Sequence, residues 1–302
     1  MSNSKIKDWK ELKWRYRFNP EVTIDEDNNV ITIDGATHDI TNKTPKQAAY
    51  LLTATVLCKA CKVHRIDKGN GSYRYVYAPN TQYKHKLQSL LPNLEQILSL
   101  MDTRGMFHAF RSNYNAVTNA KAHIGYNYSA KFDMKNFFDQ ITRERFDNLS
   151  ISSDILDYCL LNGVTRQGLP TSPLLASIAF IEVAYQIDDA VRTIASEARM
   201  TVYADDITIS FNNRMDYEAI KQTVYHLLKE SNFKINFKKT KLKFGHKPWM
   251  RRIICGVAVD HTQVYRTRKT KMQLRQAIHQ QDITRTLGLI EWASCKEPRA
   301  RR

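Results

Sequence analysis

Apolar residues recur at helical spacing in several stretches of the chain. Leu87, Leu90, Leu91, Leu94, Ile97, Leu98 and Met101 predict one amphipathic helix, with Pro92 a candidate kink. Ala48, Leu51, Leu52, Thr55 and Val56 predict another, opened by Thr44 as N-cap and Pro45 at the first position. Residues 217–230 give a third, and 155–161 a short one that stops at Gly163. Ser172-Pro173 opens a long apolar helix through about residue 198, and 266–280 reads as a basic helix. Strand patterns lie between these. Residues 73–77 follow the turn Lys68-Gly69-Asn70-Gly71, and 22–33 suggests a hairpin around Asp27-Asn28-Asn29. Further strands are expected at 129–133, 234–237 and 253–259. Across 200–211 the alternation breaks at Asp205-Asp206, as in a hairpin with acids at its tip. Helices mixed with hairpin strands predict an α+β fold.

Composition narrows the class. A chain of 302 residues can bury a sizeable core without disulfides or metals. Hydrophobic residues make up 42% and charged residues 25%, with only 10 Gly and 8 Pro, which excludes collagen-like, low-complexity and largely disordered chains. No apolar run is long enough to span a bilayer, and the first ten residues lack the apolar core of a secretory signal. Cys58 and Cys61 form one CxxC without the second pair that a four-thiolate zinc site needs. The cysteines read as buried thiols of a cytoplasmic protein.

Charge changes the picture most. The net charge of +16 points to a polyanionic partner, nucleic acid or an anionic membrane. Residues 234–302 hold 18 Lys/Arg against four acids, so +14 of the charge lies in this last part and only +2 in the rest. The basic part is a module.

Tyr203-Ala204-Asp205-Asp206 carries the candidate chemistry. Two carboxylates at a tight turn beside hydrophobic strands repel each other unless a cation neutralises them. Hard oxygen ligands with open positions suit Mg²⁺. Asp133, within Phe132-Asp133-Met134-Lys135-Asn136-Phe137-Phe138, would come from a neighbouring strand. Three such Asp can hold two Mg²⁺ about 4 Å apart for in-line phosphoryl transfer. A lone Asp-Asp pair is ordinarily a solvated turn; the ordered set of motifs around this one sets it apart.

That set resembles reverse transcriptases, most closely the bacterial retron type, in order from about residue 62 to 275. Residues 132–138 resemble the first palm motif. Arg166-Gln167-Gly168-Leu169-Pro170-Thr171-Ser172-Pro173 is similar to the Q-G-x-P-x-S-P loop. Tyr203 to Asp206 matches the Y-x-D-D hairpin, and Ile235-Asn236-Phe237-Lys238-Lys239-Thr240 the I-N-x-x-K-T stretch. The resemblance implies a right-hand polymerase with a ferredoxin-like palm, fingers and a short basic helical thumb. It implies Asp133, Asp205 and Asp206 as catalytic metal ligands for two Mg²⁺. It places Arg74 on the triphosphate of the incoming dNTP, Gln167 and Gly168 against the nascent base pair, and Phe138 beneath the sugar, where a bulky ring excludes a 2′-hydroxyl. Lys239 would stand near the departing pyrophosphate as a general acid, or attract phosphate simply as a basic strand residue.

Two stretches bear on the subfamily. Asn119-Ala120-Lys121-Ala122-His123 fits the N-A-x-x-H signature of retron enzymes and implies RNA contact by Asn119 and His123, although a lone histidine there also reads as structural. Ile254-Cys255-Gly256 stands where retron enzymes have V-T-G, with Cys in place of Thr. Arg266, Arg268, Lys269, Lys271 and Arg275 map onto the thumb and would track a duplex backbone. Expected boundaries are an N-terminal extension at 1–43, fingers at 44–128, palm at 129–250, and primer grip with thumb at 251–302. With 97 residues after Asp205, the chain reads as a minimal polymerase without a ribonuclease H domain.

The resemblance implies a structured non-coding RNA as template and anchor, an RNA–DNA hybrid product, priming from a 2′-hydroxyl, an effector protein as partner, and a role in antiphage defence. No membrane partner is expected. The rival readings are a defence reverse transcriptase of the abortive-infection type, template-free or protein-primed, a non-catalytic RNA-binding scaffold, and more distantly a nucleotide cyclase.

Overall fold

The computed structural model describes residues 22–25, 30–33, 36–45, 47–48, 60–69, 71, 73–247 and 249–298. They divide into two compact units. One takes the described residues up to Leu94 together with Phe138–Ala176, and the other Glu95–Phe137 with those from Ser177 onward.

The first unit opens with a three-stranded antiparallel sheet: β1 (Val22–Asp25), β2 (Val30–Ile33) and β3 (Ala36–Asp39). The expected hairpin at 22–33 forms, with Val22 opposite Ile33; Asp27, Asn28 and Asn29 lie outside the described residues. Thr44 accepts a hydrogen bond from the Gln47 amide at 3.3 Å, as an N-cap should. Leu51 to Val56 of the face expected there lie outside the described residues, as does Cys58, while Cys61 is buried. A long antiparallel ribbon follows, β4 (Cys61–Asp67) with β5 (Tyr73–Pro79). Helix α1 (Thr81–Leu100), whose residues after Leu94 count with the second unit, runs on through Pro92 and buries Leu87, Leu94 and Leu98. The unit also holds α3 (Ser153–Cys159).

The second unit contains α2 (Ala116–Lys121), β6 (Tyr128–Asp133), β7 (Arg199–Tyr203), β8 (Asp206–Phe211), α5 (Asp216–Glu230) and β9 (Lys241–Phe244). Helix α4 (Ser172–Ile194) precedes β7. In chain order, β6-α4-β7-β8-α5-β9 is a βαββαβ unit, with strand order β7-β8-β6-β9. This is the ferredoxin-like topology that the resemblance implied. One sheet face carries Phe132, Ile207 and Ile209, all fully buried, with Phe132 edge-on to Tyr225 of α5 at 5.9 Å. Phe137, Phe180 and Phe233 form an aromatic cluster that closes this core.

Two expected strands are corrected. Residues 234–237 do not form one. Ile235 makes a single bridge to Met134, and the chain then turns through a 3₁₀ helix at Phe237–Lys239 before β9 begins. The backbone there bonds to the loop end of β6, Lys135 N–H to the Lys234 carbonyl and Asn236 N–H to the Asp133 carbonyl at 2.8 Å each. Residues 253–259 are not one strand but a hairpin, β10 (Arg252–Ile254) and β11 (Val257–Val259). Cys255 and Gly256 turn between them with φ of +46° and +82°, the left-handed pair of a type I′ turn. β12 (Val264–Arg266) completes this sheet, which packs on Ala116, Val117 and Ala120 of α2.

The basic helix α6 (Arg268–His279) is capped by Thr267, and α7 (Ile283–Ala293), which periodicity did not signal, by Asp282. No helix among the described residues is long and apolar enough to cross a membrane.

Candidate active site

The hairpin of β7 and β8 places the acids. Tyr203 pairs with Asp206, so Ala204 and Asp205 form a two-residue turn. Ala204 adopts φ +56°, a left-handed conformation that costs a non-glycine residue roughly 1–2 kcal/mol. Such strain persists only where surrounding structure enforces it. Here the Asp205 carbonyl accepts from the Met134 amide at 2.9 Å, tying the turn to the end of β6.

The β6–β8 register sets Asp133 directly opposite Asp206. Asp133 is buried, and Asp205 and Asp206 are half-buried. Burial pushes the Asp205 carboxyl above its ordinary pKa, and the charges of Asp206 and Asp133 push it further. Three carboxylates therefore share one field, the arrangement the sequence predicted. Two lysines answer it. Lys239 reaches Asp133 Oδ1 at 3.0 Å, and Lys131 reaches Asp206 Oδ2 at 2.6 Å. Burial lowers the Lys131 pKa, but the hydrogen bond and charge of Asp206 outweigh it, and the net shift is upward.

The donor set fits a divalent cation. Asp206 Oδ1 is buried without a hydrogen-bond partner among the described residues. All the oxygens are carboxylate, the hard donors Mg²⁺ takes. As the side chains stand, no three His, Cys, Asp or Glu among the described residues close on one ion. Lys131 and Lys239 occupy carboxylate oxygens that an ion would take.

Lys131 was missed in the sequence, although a signal was there. Residues two apart on a strand share a face, so Lys131 had to lie beside Asp133.

Arg74, Phe138, Gln167 and Gly168 belong to the other unit. There the Gln167 carbonyl accepts from the Tyr77 amide at 2.8 Å, docking the Q-G loop on β5. Gly168 takes φ +108°, and a Cβ on it would stand 2.4 Å from the Tyr77 carbonyl oxygen, so only glycine fits. Arg166 lies over the Tyr77 ring and pairs with Asp139. Arg74 is exposed on β5. Phe138 is half-buried, while Phe137 beside it is the core residue.

Asn119 and His123 do not face a nucleic acid: both are fully buried. This corrects the expectation of direct RNA contact by these side chains. His123 Nε2 lies 2.7 Å from Thr201 Oγ1 on β7, and burial, with Arg252 beside it, keeps its pKa far below the ordinary value. Asn119 donates to Cys255 Sγ at 3.3 Å. The N-A-x-x-H segment thus grips the turn where retron enzymes carry V-T-G. Arg252, 1% exposed, locks the same junction, donating to the His123 carbonyl at 2.6 Å and to Ser129 Oγ at 2.9 Å. Burial pushes its pKa down to about 10. The apolar spacing around Arg252 gave no hint of this role.

Arg266, Arg268, Lys269, Lys271 and Arg275 are all exposed. Arg268, Lys271 and Arg275, spaced by three and four residues, share one face of α6.

Comparison with known proteins gives a consistent result. The family model described as "Reverse transcriptase (RNA-dependent DNA polymerase)" matches residues 66–290. The Retron Ec86 reverse transcriptase of Escherichia coli is 26% identical over 214 residues, 68% of this chain and 64% of that protein. The chain thus spans under two thirds of that relative. The Retron Ec83 reverse transcriptase of Escherichia coli is 24% identical over 269 residues, 78% of this chain and 83% of that one. Among solved structures, a Candida albicans telomerase bound to a fragment of telomeric RNA superposes with a TM-score of 0.51 at 12% identity, covering 68% of this chain and 46% of that one. That likeness shows the right-hand polymerase fold.

Proposed function

Since this chain belongs to the reverse transcriptase family, we propose that it is a retron enzyme, synthesising DNA from dNTPs on a dedicated structured RNA. The observation that carries this reading is the register that sets Asp133 opposite Asp206, with Asp205 in the adjoining turn. The retron assignment is supported by the N-A-x-x-H segment and by the similarity to two retron reverse transcriptases of Escherichia coli.

Asp133, Asp205 and Asp206 would hold two Mg²⁺. When bound, these ions would acidify the attacking hydroxyl and neutralise the triphosphate. The hydroxyl oxygen bonds to the α-phosphorus as the bond to pyrophosphate breaks. Lys239, whose side chain is 59% exposed beside Asp133, is suited to give a proton to the leaving oxygen. Phe138 would select dNTPs, and Gly168 would let the backbone approach the base pair. Arg74 would bind the triphosphate through its planar fork. The exposed cations of α6 would follow the hybrid backbone without reading sequence. We place the enzyme in the cytoplasm, with a branched RNA–DNA product serving antiphage defence alongside an effector protein.

The test is to purify the protein from its host and sequence the nucleic acid that accompanies it, with and without RNase. One DNA of defined length, covalently joined to one structured RNA and absent from Asp205→Asn protein, is expected. Heterogeneous or protein-linked DNA would point to the abortive-infection type. RNA alone, unchanged in the variant, would point to a scaffold.

A further inference from the structure

The palm sheet has a second chemically distinctive end. Tyr128 stands opposite both Phe211 and Phe244 at the end of β6 away from Asp133. Five residue steps of strand separate the two ends, about 17 Å. Tyr128 stacks on Phe211 and on His246, each at 5.9 Å between centroids, and meets Phe244 edge-on at 6.0 Å. Cations lie over neighbouring rings: Arg214 over Phe244 at 5.7 Å, Lys247 over Trp249 at 5.4 Å, and Arg251 over Tyr265 at 3.7 Å.

Two features of this patch face solvent. Trp249 is 74% exposed and Phe244 40%. The surrounding sequence is one-signed, with eight Lys/Arg and no acid from residue 231 to 259. Lys239 is held by Asp133 at 3.0 Å and Arg251 approaches Asp260 at 3.8 Å, whereas Lys247 and Arg214 make no ion pair among the described residues. Exposed rings call for a flat apolar face, and unneutralised cations call for anions. Unpaired nucleotides carry both on one chain. A duplex offers only its phosphates, because its base faces are buried in the stack.

We propose that this patch binds unpaired RNA nucleotides, with bases stacked on Trp249 and Phe244 and phosphates met by Lys247, Arg214 and His246. Its distance along β6 from the carboxylates makes it an anchor for RNA that is not being copied. That anchoring role rests on the polymerase reading above; the binding does not.

The probe is a short fluorescein-labelled oligoadenylate, titrated by anisotropy in the presence of excess unlabelled blunt RNA–DNA hybrid to occupy the copying groove. Trp249→Ala and Lys247→Ala are each expected to raise Kd roughly tenfold, with Trp249→Phe close to the unaltered protein. Extension of oligo(dG) on poly(rC) should stay unchanged in all three variants. An unchanged Kd in Trp249→Ala would overturn the proposal. So would a blunt duplex probe that binds as tightly and loses as much in Trp249→Ala. Failure of extension in the unaltered protein would instead sink the polymerase reading and the anchoring role, leaving the binding result to stand or fall alone.

Discussion

Lys131 and Asp206 form a 2.6 Å ion pair across the central strands, and Lys131 shares its strand face with Asp133 two residues on. The lysine therefore neutralises the carboxylates while no metal is bound. Lys131→Met should lower the stability of the metal-free protein by about 1–3 kcal/mol, since it leaves a half-buried carboxylate unpaired among like charges. Added Mg²⁺ should then raise Tm more in the variant than in the unaltered protein. Thermal melts in EDTA and in Mg²⁺ measure both effects; equal metal shifts would refute the idea.

Gly168→Ala tests the docking of the Q-G loop. The new Cβ would meet the Tyr77 carbonyl at 2.4 Å on a backbone at φ +108°. Strain of about 1–3 kcal/mol is expected, together with a loss of DNA synthesis larger than the loss of folded protein. Steady-state extension rates, normalised by circular dichroism, separate the two.

Arg252→Met should cost about 2–4 kcal/mol, because the His123 carbonyl and the Ser129 hydroxyl lose buried partners. Urea denaturation would show it as a lower midpoint. A midpoint like that of the unaltered protein would mean the junction is held by its apolar packing alone.

Acid should destabilise the fold through its buried histidines. Burial lowers the His108 pKa from 6.5 to about 4, with its Nε2–H donating to the Gly105 carbonyl. The folded state therefore binds fewer protons than the unfolded one between these values. The stability this neutral imidazole carries is fully present above about pH 6.5 and is lost as pH falls toward 4, at up to about 1.4 kcal/mol per pH unit. Denaturation midpoints at pH 7.5 and 5.5 should differ less in His108→Gln than in the unaltered protein.

The acidic hairpin was legible in the sequence because strand alternation and an acidic turn leave a local signature. The palm's long helix was legible from its Ser172-Pro173 start and apolar spacing, and its central strands from their alternation. The fourth strand of the palm sheet was not. Residues 234–237 have the apolar pattern of a strand, but Asn236 and Lys234 spend their backbone groups on the last residue of β6 and the loop after it, and the ladder forms later, at Lys241–Phe244. The β10–β11 hairpin was hidden because its turn uses Cys255, which does not advertise a left-handed backbone as glycine or asparagine would. Asn119 and His123 matched a motif, yet a motif carries no information about exposure; only packing shows that both are buried. Arg252 was illegible because its partners, His123 and Ser129, are more than a hundred residues away.

The central claim is that the carboxylates of Asp133, Asp205 and Asp206 make this chain an RNA-copying polymerase. Primer extension on an RNA template with dNTPs and Mg²⁺ tests it most directly, comparing the unaltered protein with Asp205→Asn. The account predicts extension by the former and a loss of at least about a thousandfold in the latter, with circular dichroism unchanged. Extension that survives in folded Asp205→Asn, or none by the unaltered protein on any RNA template, would contradict it.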